Sequence, residues 1–162
     1  MIKIRNGKVE DLEELFIIEN NCFPPSEAAS REAMKQRLEI INDSFFVALE
    51  NNKLVGLVNG PVINVPFISD DLFDEIIENP KTGGYQSILG LAVDPSVQRR
   101  GIAGQLLRHL EQEAIKAGRD GLSLTCKEKL IPYYESFGYK NEGVSESVHG
   151  GVTWYNMVNY LK

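Results

Sequence analysis

The sequence predicts a mixed α/β domain: a central β-sheet flanked by helices on both faces, in the order β-α-α-β-β-β-α-β-α-β-β. Three observations predict it. Apolar runs of strand length alternate with stretches of helical period along the chain. The run Ile88 to Val93 is nearly continuous in apolar residues, as expected of a central strand buried on both faces. After it come a basic turn rich in small residues, Gln98-Arg99-Arg100-Gly101-Ile102-Ala103-Gly104, and then an amphipathic helix.

The elements follow in order. Ile2 to Arg5 reads as the first strand. Val9, Leu12, Leu15, Phe16 and Glu19 recur at helical spacing, so a helix runs from about Lys8 to Asn21. Pro24 and Pro25 stop it, because a proline ring cannot continue a helix. Ser30 is the N-cap of a second helix whose apolar stripe is Ala33, Met34, Leu38 and Ile41. Phe45 to Glu50 and Lys53 to Asn59 form a hairpin about Asn51-Asn52. Residues 61–85 form a long connection with a short helix, Asp70 to Glu78, and a Gly83-Gly84 end. A connection of this length in a compact domain is a candidate functional segment.

Beyond the central strand, a helix runs from Gly104 to Ala117. Leu106, Leu107, Leu110 and Ala114 share one face, and Gly118 stops it. Leu122 to Thr125 is a second buried strand, and Leu130 to Phe137 a short helix ended by Gly138. Tyr139 to Glu146 and Val152 to Leu161 close the chain as a hairpin through His149-Gly150-Gly151.

Composition narrows the function. The 162 residues suit one domain spanning 1–162. A net charge of −6 argues against nucleic acid as the main partner. No apolar run approaches the roughly 18 residues of a membrane span, and Met1 to Arg5 lacks the apolar core of a signal peptide. The two cysteines, Cys22 and Cys126, belong to no CxxC pair or Cys/His cluster. Neither a metal site nor a disulfide framework is expected, and a reducing cytoplasm is the expected location.

The turn at 98–104 carries the chemistry. A pyrophosphate needs several N–H donors converging on it without steric obstruction. Gly101, Ala103 and Gly104 clear the approach, and the following helix offers unpaired N–H groups and its positive dipole end. Arg99 and Arg100 suit phosphate oxygens, which arginine can grip bidentately. The turn is neither a Walker motif nor a GxGxxG fingerprint. An ordinary surface turn with two solvated arginines stays open as the alternative.

Two stretches resemble a known family. Leu91-Ala92-Val93-Asp94-Pro95 with Gln98-Arg99-Arg100-Gly101-Ile102-Ala103 resembles motif A, Q/R-x-x-G-x-G/A, of the GNAT acyl-CoA N-acyltransferases. Pro132-Tyr133-Tyr134-Glu135-Ser136-Phe137-Gly138-Tyr139 resembles their motif B. The loop Cys22 to Ser30, the connection with Gly83-Gly84 and the stretch Cys126 to Tyr139 are similar to the arylalkylamine N-acetyltransferase-like branch.

The resemblance implies a GNAT-like domain that transfers acetyl directly from acetyl-CoA to a primary amine in a ternary complex, without metal. It places the acetyl carbonyl and pantetheine on the backbone of Leu91, Ala92 and Val93, and the pyrophosphate on Gln98, Arg99, Arg100, Gly101, Ile102, Ala103 and Gly104. Tyr134 matches the general acid for the CoA thiolate. With a phenol near 10 and a thiol near 8.5, that transfer is uphill by about 2 kcal/mol. Deprotonating an alkylammonium near pH 7 costs more, about 4–5 kcal/mol. The two strand histidines of the vertebrate-type branch are replaced by Ser87 and Leu89.

Glu27 is the expected substitute base or ammonium binder, and Ser87 a candidate anchor for a water. Phe23, Pro24 and Thr125 are candidate acceptor-pocket residues. Lys127 stands where several branches carry asparagine and is expected to reach a CoA phosphate. His109 and His149 are expected on the surface, and Cys126 is expected to be inert. The acceptor is expected to be a small molecule, arylalkylamine-like or polyamine-like. A protein N-terminus or lysine acceptor, and a non-catalytic acetyl-CoA sensor, are the alternatives. Monomer and homodimer both stay open.

Overall fold

A computed structural model describes residues 1–73, 75–147 and 149–162. In chain order the elements are β1 (Ile2–Asn6), α1 (Leu12–Cys22), α2 (Arg31–Ile40), β2 (Phe45–Glu50), β3 (Lys53–Asn59), β4 (Val62–Ile63), β5 (Tyr85–Ile88), β6 (Gly90–Val93), α3 (Ile102–Lys116), β7 (Gly121–Cys126), α4 (Ile131–Glu135), β8 (Lys140–Val144) and β9 (Tyr155–Tyr160). They form two sheets, β1-β2-β3-β6 and β4-β5-β7-β9-β8. β5 and β7 are parallel; the other pairings among the described residues are antiparallel.

Side-chain alternation on β2 puts helices on both faces, as expected. Phe45 and Val47 join Leu15 of α1 and Leu38 of α2 in one core. Phe46 and Ala48, pointing the other way, join Leu106 and Leu110 of α3 in the second. The pairing slips once: Ala48 faces Gly56 while Leu49 faces Leu54, so Val55 is an extra residue bulged from β3.

Several boundaries differ from the sequence reading. A 3₁₀ turn over Val9–Asp11 precedes α1, because Asp11 accepts the Lys8 N–H at 2.9 Å and both Arg5 amino groups at 2.8 and 3.0 Å. Ser30 does cap α2, accepting the Ala33 N–H at 3.0 Å. The helix expected from Asp70 to Glu78 is a 3₁₀ turn over Asp70–Phe73; Asp74 lies outside the described residues, and Glu75 to Pro80 are not helical. A segment this short does not sustain a helix on propensity alone. The 61–85 connection contributes an unexpected edge strand instead, β4, returned onto β5 by Gly83 and Gly84 at φ 76° and 72°.

The largest correction concerns the central strand. The apolar run Ile88 to Val93 is not one strand: it divides at Leu89, giving its first part to one sheet and its second to the other. The chain leaving β3 enforces the division. The Leu89 N–H donates to the Asn59 carbonyl at 2.8 Å and the Ser87 N–H to the Pro61 carbonyl at 3.1 Å. Gly60 is pressed so close that a Cβ there would stand 2.1 Å from the Ser87 carbonyl oxygen. Apolar composition cannot report such a break.

Candidate active site

The sheets part where β6 leaves β7. β5 runs beside β7 up to Ile88 opposite Leu124. From Gly90 onward β6 pairs, among the described residues, with β3 alone, so its other edge has no strand partner there. Thr125 and Cys126 of β7 likewise have only β9 beside them. The gap is a cleft of about 270 Å³. Leu89, Gly90 and Leu91 form one wall, and Leu124 to Lys127 with Tyr134 the other. The end of α1 and the loop after it close one side with Glu19, Cys22, Phe23, Pro24 and Glu27. Ser147 and Trp154 approach from the C-terminal segment.

Seven residues given a role from the sequence meet in this one cleft: Phe23, Pro24, Glu27, Leu91, Thr125, Lys127 and Tyr134. Ala92 and Val93 pack into the two opposite cores, leaving the β6 backbone to face the cleft. The Val93 carbonyl is already engaged, accepting the Cys22 thiol at 3.1 Å and the Gln98 amide at 3.0 Å. Ser87 does not line the cleft. It is fully buried, and its hydroxyl donates to the Pro61 carbonyl at 2.5 Å, so its role is to hold the division of the strands.

The turn after β6 has the backbone a bound anion requires. Arg99 and Gly101 take left-handed conformations at φ 66° and 81°, and α3 starts at Ile102, two residues earlier than expected. Within α3, Gln105 is the first residue whose N–H reaches a carbonyl of its own turn, that of Gly101. The N–H groups of Ile102, Ala103 and Gly104 precede it at the positive end of the helix. A Cβ at Gly101 would meet nothing within 4 Å, so this face is open. Gly104 is small for another reason: a Cβ there would stand 3.0 Å from the Phe137 ring. Arg100 forms a two-armed ion pair with Glu50, while Arg99 is exposed.

Tyr134 is 9% exposed, set among Tyr133, Tyr139 and Cys126. Burial, with neighbouring Cys126 and Tyr133 adding to it, pushes its phenol well above the ordinary range. It therefore stays protonated across neutral and moderately basic pH, as an acid must before it acts. Burial likewise raises the Cys126 thiol to about 11, which leaves little thiolate at neutral pH.

Glu27 is not free. It accepts from Lys127 Nζ at 3.0 Å, and that ammonium lies 5.9 Å from the Trp154 ring centre. Lys127 thus sits at the cleft mouth, bridging the α1–α2 loop to the end of β7. His109 packs edge-on against Phe46, 4.6 Å between ring centres, and does not line the cleft. The side chain of His149 lies outside the described residues.

The sequence reading placed Glu19 on the apolar stripe of α1 and gave it no role. It is 3% exposed, lines the cleft, and accepts the Ala29 N–H at 2.9 Å through Oε2. Its Oε1 is buried without a hydrogen-bond partner. Burial raises its carboxyl above the usual range, against the pull of the Ala29 N–H and the Arg37 charge. The signal that could have found it was a carboxylate on the buried face of an otherwise apolar stripe.

Residues 12–139 match the family model described as "Acetyltransferase (GNAT) family". The chain belongs to the GNAT acetyltransferase family. A comparison with curated proteins found no match. Among solved structures the chain is similar to the GphF GNAT-like decarboxylase in complex with isobutyryl-CoA, at 19% identity and TM-score 0.84 over 99% of this chain and 100% of that one. It is similar to a GNAT family acetyltransferase from Brucella melitensis in complex with acetyl-CoA, at 16% identity and TM-score 0.67 over 100% and 89%. It is also similar to the ribosomal-protein-S18-alanine N-acetyltransferase from Escherichia coli, at 20% identity and TM-score 0.72 over 100% and 95%. At these identities the likeness bears on the GNAT fold, which the chain shares. Among the described residues no helix is long and apolar enough to cross a membrane.

Proposed function

We propose that this GNAT chain, as one domain over 1–162, is an acetyl-CoA-dependent N-acetyltransferase that moves acetyl directly onto a primary amine, with both substrates bound together. The observation that carries the reading is the cleft itself. It has a strand edge without a partner on one side, a buried protonated Tyr134 on the other, and the open 98–104 turn following the same strand.

In this reading the free edge of β6 at Leu91 to Val93 aligns the pantetheine arm and acetyl carbonyl. The N–H groups of Ile102, Ala103 and Gly104 hold the pyrophosphate, with Arg99 beside them; Arg100 contributes by exchanging Glu50 for phosphate. Tyr134 donates its proton to the departing thiolate. Burial raises the phenol, and it raises a thiol in the same cleft too, so the two shifts oppose; for the free groups the gap is about 2 kcal/mol. That is small enough for transfer concerted with C–S cleavage.

The acceptor in this reading is a small primary amine, arylalkylamine-like or polyamine-like. The Glu27–Lys127 pair and the Ser147 and Trp154 segment narrow the mouth and favour a slender acceptor. Phe23, Pro24 and Thr125 line its path. A protein N-terminus or lysine acceptor is the second reading, favoured by the likeness to the ribosomal-protein acetyltransferase.

CoA-thiol release measured against arylalkylamines, polyamines, amino acids and short peptides tests both. Turnover with small amines supports the first reading, and turnover with peptides alone replaces it with the second. Acetyl-CoA binding without turnover on any acceptor replaces both with a sensor.

A further inference from the structure

The cleft has two carboxylates among its described lining residues, Glu19 and Glu27. Lys127 neutralises Glu27 at the mouth. Glu19 lines the same cleft from the last turn of α1, and its Oε1 has no donor among the described residues. A buried carboxylate oxygen without a donor is costly unless a ligand supplies one.

Behind it stands a second unusual group. Arg37 of α2 is 2% exposed and donates to the Asn59 side chain at 3.1 Å, and its Nε has no partner. Its charge acts on Glu19 without a direct hydrogen bond between them. The other groups around the carboxylate are the Cys22 thiol one turn on, committed to the Val93 carbonyl, and the Ala29 N–H from the loop. The other charged and titratable groups lining the cleft are the Glu27–Lys127 pair, Cys126, Lys129 and Tyr134.

We infer that Glu19 is the base that receives the ammonium of the acceptor and takes its proton, and that Arg37 is the positioning residue that keeps the Glu19 carboxylate ionised. This rests on the acetyltransferase reading and names a base for it. The protons balance. The acceptor ammonium gives one to Glu19, and the freed lone pair forms the C–N bond to the acetyl carbon. The C–S bond breaks as Tyr134 protonates the thiolate. The nitrogen's remaining extra proton returns to the Tyr134 oxygen as the amide forms, and Glu19 releases its proton to water.

Burial matters because an ordinary glutamate near 4.3 is about six units too weak to deprotonate an alkylammonium near 10.4. Desolvation strengthens it as a base, and desolvating the ammonium in the same cleft weakens its hold on the proton. Arg37 opposes the first effect, because its positive charge favours the ionised form of Glu19.

The test uses the full chain and two amines of similar shape, phenethylamine and its β,β-difluoro analogue, whose ammonium is far more acidic. Carboxyl ¹³C NMR titration follows Glu19, with its signal assigned by its loss in Glu19→Gln. The expected titration lies above the free-glutamate range and moves up by about one unit or more in Arg37→Met. Arg37→Lys, which keeps the charge, should leave it nearly in place and covers the case in which Arg37→Met does not fold.

In kinetics, Glu19→Gln should lower kcat/KM for phenethylamine at pH 7 by about 10²-fold or more. The loss should shrink at least tenfold for the difluoro amine. The acid limb of the wild-type profile should move to higher pH in Arg37→Met, since removing a cation disfavours the carboxylate. A normal Glu19 titration, or equal losses with both amines, overturns the inference. Failure of the wild type to bind acetyl-CoA overturns the activity reading instead, and the titration still judges Glu19 as a perturbed base.

Discussion

The two sides of the cleft are built on different principles. The proposed donor side is local and made of backbone: β6, the 98–104 turn and the start of α3 follow one another within some fifteen residues. The proposed acceptor side is assembled from side chains that are distant in sequence, as where Glu27 meets Lys127 across 100 positions. A backbone site needs only a strand edge, positive-φ turn residues and a helix start, all of which leave marks in a short stretch of sequence. A side-chain site depends on which distant elements the fold brings together.

This contrast can be broken by experiment, starting where the effect is largest. Gly101→Glu puts a carboxylate at the open start of α3, where the added Cβ itself meets nothing within 4 Å. Positive φ strains the residue by only about 1–2 kcal/mol, so the fold should persist. Acetyl-CoA affinity should fall more than about 100-fold, since one charge repels the pyrophosphate and blocks its donors. Calorimetric titration measures it, and retained affinity would refute the placement of the pyrophosphate.

Tyr134→Phe comes next. It should lower kcat by about 10²-fold or more with little change in acetyl-CoA affinity. Because burial raises the wild-type phenol, the profile of kcat against pH should show no fall attributable to Tyr134 in the neutral range. A Tyr134→Phe enzyme with wild-type kcat between pH 6 and 9 would remove the residue from the mechanism.

Lys127→Met should touch the acceptor side alone. The ion pair it breaks is partly exposed on the lysine side, so the effect should be modest: a change in acceptor KM of about three- to tenfold, with acetyl-CoA affinity unchanged. Equal changes in both affinities would mean that the two sides are not separable.

The smallest effect tests the packing beneath the donor side. Gly104→Ala brings a methyl to 3.0 Å from Phe137 while improving helix propensity, so the two terms oppose. The expected outcome is a loss of about 1 kcal/mol or less in thermal unfolding, and unaltered acetyl-CoA binding.

The same contrast explains what the sequence made legible. The hairpin Phe45 to Asn59 and the Ser30 cap follow from local chemistry and stand where expected, and the turn before α3 does so apart from a helix start two residues early. Tyr134, named through the resemblance to motif B, and Thr125, named by position, both line the cleft. The division at Leu89 was not legible, because its cause is the approach of Gly60, 29 positions earlier, to the Ser87 carbonyl. Ser87 looked available for catalysis because nothing local reveals that Pro61 takes its hydroxyl. Glu27 looked like a free carboxylate because its partner is Lys127. Glu19 looked like part of a stripe because its burial depends on α2 and the loop at Ala29.

The unpartnered edge of β6 has a further consequence, for solubility. An exposed strand edge invites pairing with another chain and is a common route to aggregation. This one lies inside a cleft, with Leu124 and Tyr134 on the facing wall. An incoming strand would carry side chains on both of its faces and so would collide with those walls, whereas a thin unbranched arm can slip in. The narrowness that selects the ligand thus also guards the chain against its own kind.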